Sequence, residues 1–180
     1  MAATDHFTAS QDRTHKLMTA VSAGALLAAL GGMLWAGAAA VNPELRITFF
    51  SIAGGIVLLI ASMALFVPRR YRLDETAVVV DRPAWPVRIP LEQIRDVHPI
   101  ELHDVVRTFG AAGFGGAWGR FTSRELASFR AYIRRREPLV CLELEDAKPV
   151  VLSPDDAEAF VTAVRGRLGG GNLKNGAAEL

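Results

Sequence analysis

The chain has one cysteine, Cys141, so it can form no internal disulfide, and its folded part must rest on an ordinary apolar core. Cys141 itself reads as a strand residue. Lysine is equally scarce: Lys16, Lys148 and Lys174 are the only lysines among twenty basic residues, and the rest are arginine. Net charge is +1, without the strong positive excess of a nucleic-acid-binding domain, and no aromatic-lined basic sheet motif or recognition helix is evident. Charge is missing altogether from two stretches, Leu17 to Val41 and Ile47 to Val67. Each reaches the roughly 20 residues a helix needs to cross the hydrocarbon layer, so both are expected to span a membrane as a hairpin.

The charges flanking that hairpin set its expected orientation. Arg13, His15 and Lys16 precede the first run, Arg69, Arg70 and Arg72 follow the second, and the connector carries only Glu44 and Arg46. The positive-inside rule then places both termini in the cytoplasm. Ala38-Ala39-Ala40 resembles a signal-peptidase site, but the apolar run exceeds the roughly 7 to 15 residues of a signal-peptide core. Richness in Ala, Gly and Arg suggests a bacterium with a GC-rich genome, and hence an inner-membrane protein. The expected organisation is an N-terminal tail over 1–16, a transmembrane hairpin over 17–67, a cytoplasmic domain over 71–168 and a flexible tail over 169–180. Within the first helix, Gly24, Ala28, Gly32 and Ala36 continue a four-residue repeat from Ala20 to Ala40 that lets another backbone come close. Packing on the second helix is favoured over a homodimer, because the connector is short.

Past Tyr71 the pattern is of short strands closed by one helix. Val78 to Val80, Pro86 to Pro90, and a segment through Ile94, Val97 and Ile100 read as the first three strands; regular alternation then dissolves between Arg107 and Arg120. Ser128 to Arg136 and Val140 to Glu145 both alternate and are expected to form a hairpin around Arg136-Glu137, which would set Arg130 opposite Glu143. A further strand, Pro149 to Leu152, leads into Ser153-Pro154-Asp155-Asp156, a helix start with Ser153 as cap. Ala157, Phe160, Val161, Val164 and Leu168 form one apolar stripe, and Gly169-Gly170-Gly171 is expected to end the helix.

Two membrane helices running into Arg69-Arg70-Tyr71-Arg72, the glycine segment Phe109-Gly110 through Gly119, the strand around Tyr132, and Ser153-Pro154 with Phe160 together make an ordered set. In that order the chain resembles the bacterial PH-like (pleckstrin-homology-like) domain proteins of small membrane-anchored type. The resemblance implies an α+β domain after the helical hairpin, an antiparallel β-barrel or sandwich capped by one C-terminal helix. It implies a membrane location and carries over no catalytic residue or cofactor.

Three clusters are candidates for function. The glycines between Phe109 and Phe121 lack the strand, helix and lysine of a nucleotide loop. They suit a mobile or close-packed connection, with Phe114 and Trp118 over the barrel or dipping among anionic headgroups beside Arg107 and Arg120. Asp96, His98, Glu101, His103 and Asp104 have no recognised metal spacing and read as a solvated strand end; an enzyme built on His98 and His103 is the opposing function class. Arg130, Arg134 and Arg136, with Arg120, form the leading candidate surface for an acidic partner or anionic lipid. The expected function is a non-enzymatic, membrane-anchored interaction module without a cofactor. It assembles with a protein partner or a second copy ahead of sensing lipid, and it binds no nucleic acid.

Overall fold

A computed structural model describes residues 5–10, 13–113 and 115–175. Helix α1 covers Arg13–Ala39 and α2 covers Pro43–Ala64. The turn between them is tight because Asn42 caps α2, its Oδ1 accepting from the Glu44 N–H at 2.9 Å, and Pro43 occupies the first helical position. The segments Thr19–Ala39 and Pro43–Ala64 are long and apolar enough to cross a membrane, and only 6% of each is buried within the chain. A core helix of a soluble protein would be covered; these present their apolar sides outward.

The hairpin does not pack through the expected stripe. A Cβ added at Gly24 or Gly32 would meet nothing within 4 Å, and Ala28 is exposed, with Ala36 half-buried. Contact runs along the neighbouring face and closes at Gly37, where an added Cβ would lie 3.1 Å from Phe49 Cβ. The four-residue repeat drifts around a 3.6-residue helix, so a stripe of constant spacing does not stay on one partner.

Sheet A is antiparallel, in the order β1 (Asp5–Thr8), β2 (Arg70–Leu73), β3 (Ala77–Asp81), β4 (Val87–Pro90). Residues 5–8, part of the expected tail, thus pair with the first strand after the helices, His6 opposite Arg72. Phe7 packs edge-on against Phe160 at 5.0 Å, and Thr8 and Ser10 converge on Asp155, the Thr8 hydroxyl donating at 2.6 Å and the Ser10 N–H at 2.8 Å. Burial alone would raise the Asp155 pKa; these hydrogen bonds and the Arg135 guanidinium more than offset it, so the carboxyl titrates below its usual value.

Sheet B contains β5 (Ile94–Ile100), β6 (Val106–Gly113), β7 (Gly116–Thr122), β8 (Phe129–Ile133), β9 (Leu139–Leu144) and β10 (Val150–Leu152), in the order β5-β9-β10-β8-β7-β6. The expected β8–β9 hairpin is therefore not formed. β10 lies between them, antiparallel to β9 and parallel to β8. Val150, Val151 and Leu152 are all 0% exposed, and a strand apolar on both faces belongs in the middle of a sheet. Arg130 consequently faces Val150 and Arg120, not Glu143.

Helix α3 (Ala157–Asn175) starts later and ends later than expected. Asp156 supplies the cap, its Oδ1 accepting from Ala159 N–H at 2.9 Å. Ser153 is instead buried among strands: its hydroxyl accepts from Arg134 N–H at 2.8 Å, and its own N–H donates to the Tyr71 hydroxyl at 3.2 Å. The helix continues through Gly169 to Gly171, so these glycines do not stop it, and of the expected tail only 176–180 lie outside the described residues. Phe160 and Val164 seal a core between sheet A, β5, β9 and β10. The two sheets do not close into a barrel; the arrangement is a sandwich capped by a helix.

The connector Glu101–Val105 imposes the shape of sheet B. β5 and β6 are its outermost strands, and six flat strands would hold them about 24 Å apart. Six residue steps reach about 21 Å at full extension. The sheet must curl, and register shifts at Ile94/Asp96 and Arg107/Phe109 supply bends. Gly110 and Gly119, directly opposed, have φ of 109° and 127°. The segment that lacked strand pattern is thus a bent β6–β7 hairpin. The concave side collects a second apolar cluster around Phe121, Phe129, Ala131, Leu139 and Val151.

Candidate interaction surface

The chain leaves α2 into an aromatic junction. The Phe66 ring stands edge-on to Trp85 at 5.1 Å and lies 4.9 Å from Trp118 on β7. Above them sits the Arg82 guanidinium, 5.6 Å from Phe66, 5.9 Å from Trp85 and 5.4 Å from Tyr132. Burial lowers the Arg82 pKa, and cation–π contacts of this kind contribute about 0.5–2 kcal/mol each. Val67 lies against Gly116, where an added Cβ would come within 3.3 Å of its Cγ1. Trp118, expected to cover the barrel or insert among headgroups, is half-buried in this junction; Phe114 lies outside the described residues. Phe66, Arg82 and Trp85 carry no local pattern that brings them together, because 16 residues and two strands separate Phe66 from Arg82.

The arginines do not form one patch. Arg120 and Arg130 face each other across β7 and β8, and among the described residues neither makes an ion pair. Like charges directly opposite are destabilising, so this pair costs the sheet some stability. Arg134 and Arg136 lie elsewhere, beside the concave cluster. Arg134 Nε donates to the Gly115 carbonyl at 3.2 Å, and Arg135 is paired with Asp155 at 3.0 Å.

Under the curl of sheet B lies a cavity of about 500 Å3. Its lining includes Arg107, Arg134, Arg135, Arg136, Asp104 and Glu137 together with Phe121, Phe129, Ala131 and Leu139, of which Phe129 and Ala131 are fully buried. One wall is tied by Glu125, which accepts from the His103 N–H at 3.0 Å and contacts His103 Nδ1 at 2.9 Å. The hydrogen bond to the backbone N–H of His103 is the main cause that brings the Glu125 pKa down to about 2, and Glu125 in turn raises that of His103. β6 borders the cavity as an outer strand of eight residues, with Val106 62% and Phe109 69% exposed.

The histidine cluster is dispersed. His98 Nδ1 pairs with Asp96 at 3.1 Å, while His103 turns to Glu125, and among the described residues no group of three or more His, Cys, Asp or Glu is placed to hold a metal. Cys141 is buried in β9, and that burial pushes its thiol up to about 11. Tyr71, fully buried, has its hydroxyl pKa raised to about 12 by the same cause, and it donates to the Tyr132 carbonyl at 2.6 Å.

These features belong to a helix-capped sandwich of PH type. A family model described as bacterial PH domain matches residues 69–168, and the chain belongs to that family. Comparison with curated proteins and with solved structures finds no match.

Proposed function

We propose that the chain is a non-enzymatic docking module tethered to a bacterial cytoplasmic membrane by two spanning helices, with both termini in the cytoplasm and a protein partner assembled on its PH domain. The tether reading is supported by β1–β2 pairing: a strand before the hairpin and one after it can join only if the chain crosses an even number of times. Arg69 and Arg70, exposed at the exit of α2, favour the cytoplasmic side.

The observation that carries the docking reading is β6. Long exposed apolar edge strands are templates for pairing with another chain, and most proteins blunt them with charge or proline. Arg134 and Arg136 border the same region and suit an acidic segment; Arg120 and Arg130, near Trp118, favour anionic lipid contact as a second reading. Capture of partners from native membranes by the full chain, compared with Val106→Lys plus Phe109→Lys, tests it. Both side chains are largely exposed, so the melting temperature should stay within about 3 °C. A specific protein recovered by the unaltered chain and lost by the variant is the expected result; equal recovery by both would refute the edge.

A further inference from the structure

We propose that Trp85 seats the PH domain in the headgroup layer of the bilayer that α1 and α2 cross, so that the β3–β4 turn is a membrane contact and the domain does not swing freely on its tether. This rests on the reading that the two helices span a membrane, and it does not depend on the β6 edge. Three observations carry it. The first is exposure: Trp85 is 58% exposed although one side packs on Phe66, and Pro83 and Pro86 stiffen the turn that carries it. The second is depth. The 22 residues of α2 rise about 33 Å, against a hydrocarbon layer of about 30 Å, or about 40–45 Å with both headgroup layers. Leu65 and Phe66 therefore emerge among headgroups, Leu65 still 47% exposed, and the Trp85 ring, 5.1 Å from that of Phe66, lies at the same level. The third is attachment. The Ala84 N–H donates to the Leu65 carbonyl at 3.0 Å, and Arg82, whose Nε donates to the Trp85 carbonyl at 3.1 Å, stands over the Phe66 and Trp85 rings. The turn is thus fastened to the end of α2.

Lipid fits this surface better than a protein does. Tryptophan is favoured at the membrane–water boundary because its ring is apolar while its N–H needs an acceptor, which phosphate and ester oxygens supply. A protein reaching Trp85 would have to enter the headgroup layer beside α2 itself. The Arg82 guanidinium is already engaged over the rings, so no headgroup charge is selected and the contact holds on zwitterionic lipid.

The test uses the full chain with the photocrosslinker p-benzoylphenylalanine in place of Trp85, of Trp35 near the far end of α1, or of Glu75, exposed in the β2–β3 turn at the opposite end of β3. Each chain is irradiated in phosphatidylcholine nanodiscs and in native membranes, and mass spectrometry reads the adducts. Positions 85 and 35 should each give at least about tenfold more phospholipid adduct than position 75, in both settings. Lipid adducts at 35 with no more at 85 than at 75 would overturn the proposal and leave the spanning helices standing. Absence of lipid adducts at 35 and 85 alike would remove the spanning reading and this contact with it. A protein adduct in place of lipid at 85 in native membranes would assign the turn to a partner and overturn the proposal. An unchanged melting temperature shows that the crosslinker leaves the fold intact. A second measurement needs no change at 85: in the chain grown with 5-fluorotryptophan, the fluorine resonance that is lost in Trp85→Phe should broaden more with a spin label on the lipid headgroup than with one at the acyl-chain end. The reverse order, or no broadening, would overturn the proposal. The β6 lysine variant reads the docking edge separately, so either idea can fail alone.

Discussion

Gly119→Val should unfold the curled half of sheet B. Gly119 has φ 127°, and a Cβ there would lie 2.2 Å from the Phe109 carbonyl oxygen and 2.7 Å from Gly110 Cα. Both are backbone atoms of a paired strand, so no side chain can move aside to relieve the contact. A β-branched residue held at positive φ costs about 1–3 kcal/mol before any collision is counted, and the total should reach about 3 kcal/mol or more. For a domain near 100 residues this lowers the melting temperature by about 12 °C or more. Gly166→Ala is the control: an added Cβ on α3 meets nothing within 4 Å there, and alanine should be neutral or stabilising by up to about 1 kcal/mol. Thermal melts in detergent, followed by circular dichroism, separate the two. A Gly119→Val melt within about 3 °C of the unaltered chain would mean that the hairpin does not bend at this pair.

Phe160→Ala should cost about 3–5 kcal/mol, a large share of the roughly 5–15 kcal/mol available to a domain. The ring is 0% exposed, at the point where α3, β1 and β2 meet, 5.0 Å from Phe7 and 6.3 Å from Tyr71. Its loss should also free β1, which has a single neighbouring strand and relies on Phe7 for its apolar anchor. Hydrogen exchange should therefore show residues 5–8 losing protection before the centre of sheet B does. Uniform loss, or a β1 that keeps its protection, would show that the N-terminal strand does not depend on this contact.

Legibility followed local physics. Val78 to Val80 and the β9 alternation were readable because each strand buries one face or both in the main core, and α3 because its apolar stripe repeats every three to four residues. The pairing partner of β8 was not readable from alternation, which specifies faces and leaves neighbours open. The clue lay in Val150-Val151-Leu152, too apolar for an edge. That one insertion placed Val150, and not Glu143, opposite Arg130. β6 and β7 escaped because their glycines serve curvature, a demand set by a short connector across a six-stranded sheet, far from the residues that meet it. β1 escaped because Asp5–Thr8 carries only one large apolar side chain, and its partner lies beyond both helices.

In the proposed topology the N-terminal strand and the PH domain meet on one side of a membrane crossed twice by the chain between them. Its most direct test is disulfide crosslinking of His6→Cys with Arg72→Cys in native membrane vesicles. These residues are Cα partners in the β1–β2 register, and opposed antiparallel residues lie about 4.5–5.5 Å apart, within disulfide reach. Buried Cys141 should stay silent, and Asp5→Cys with Arg70→Cys, out of register, is the negative control. Rapid intramolecular crosslinking of the first pair and none of the second is the expected result. No crosslink at His6 and Arg72, or one formed only between chains, would contradict it.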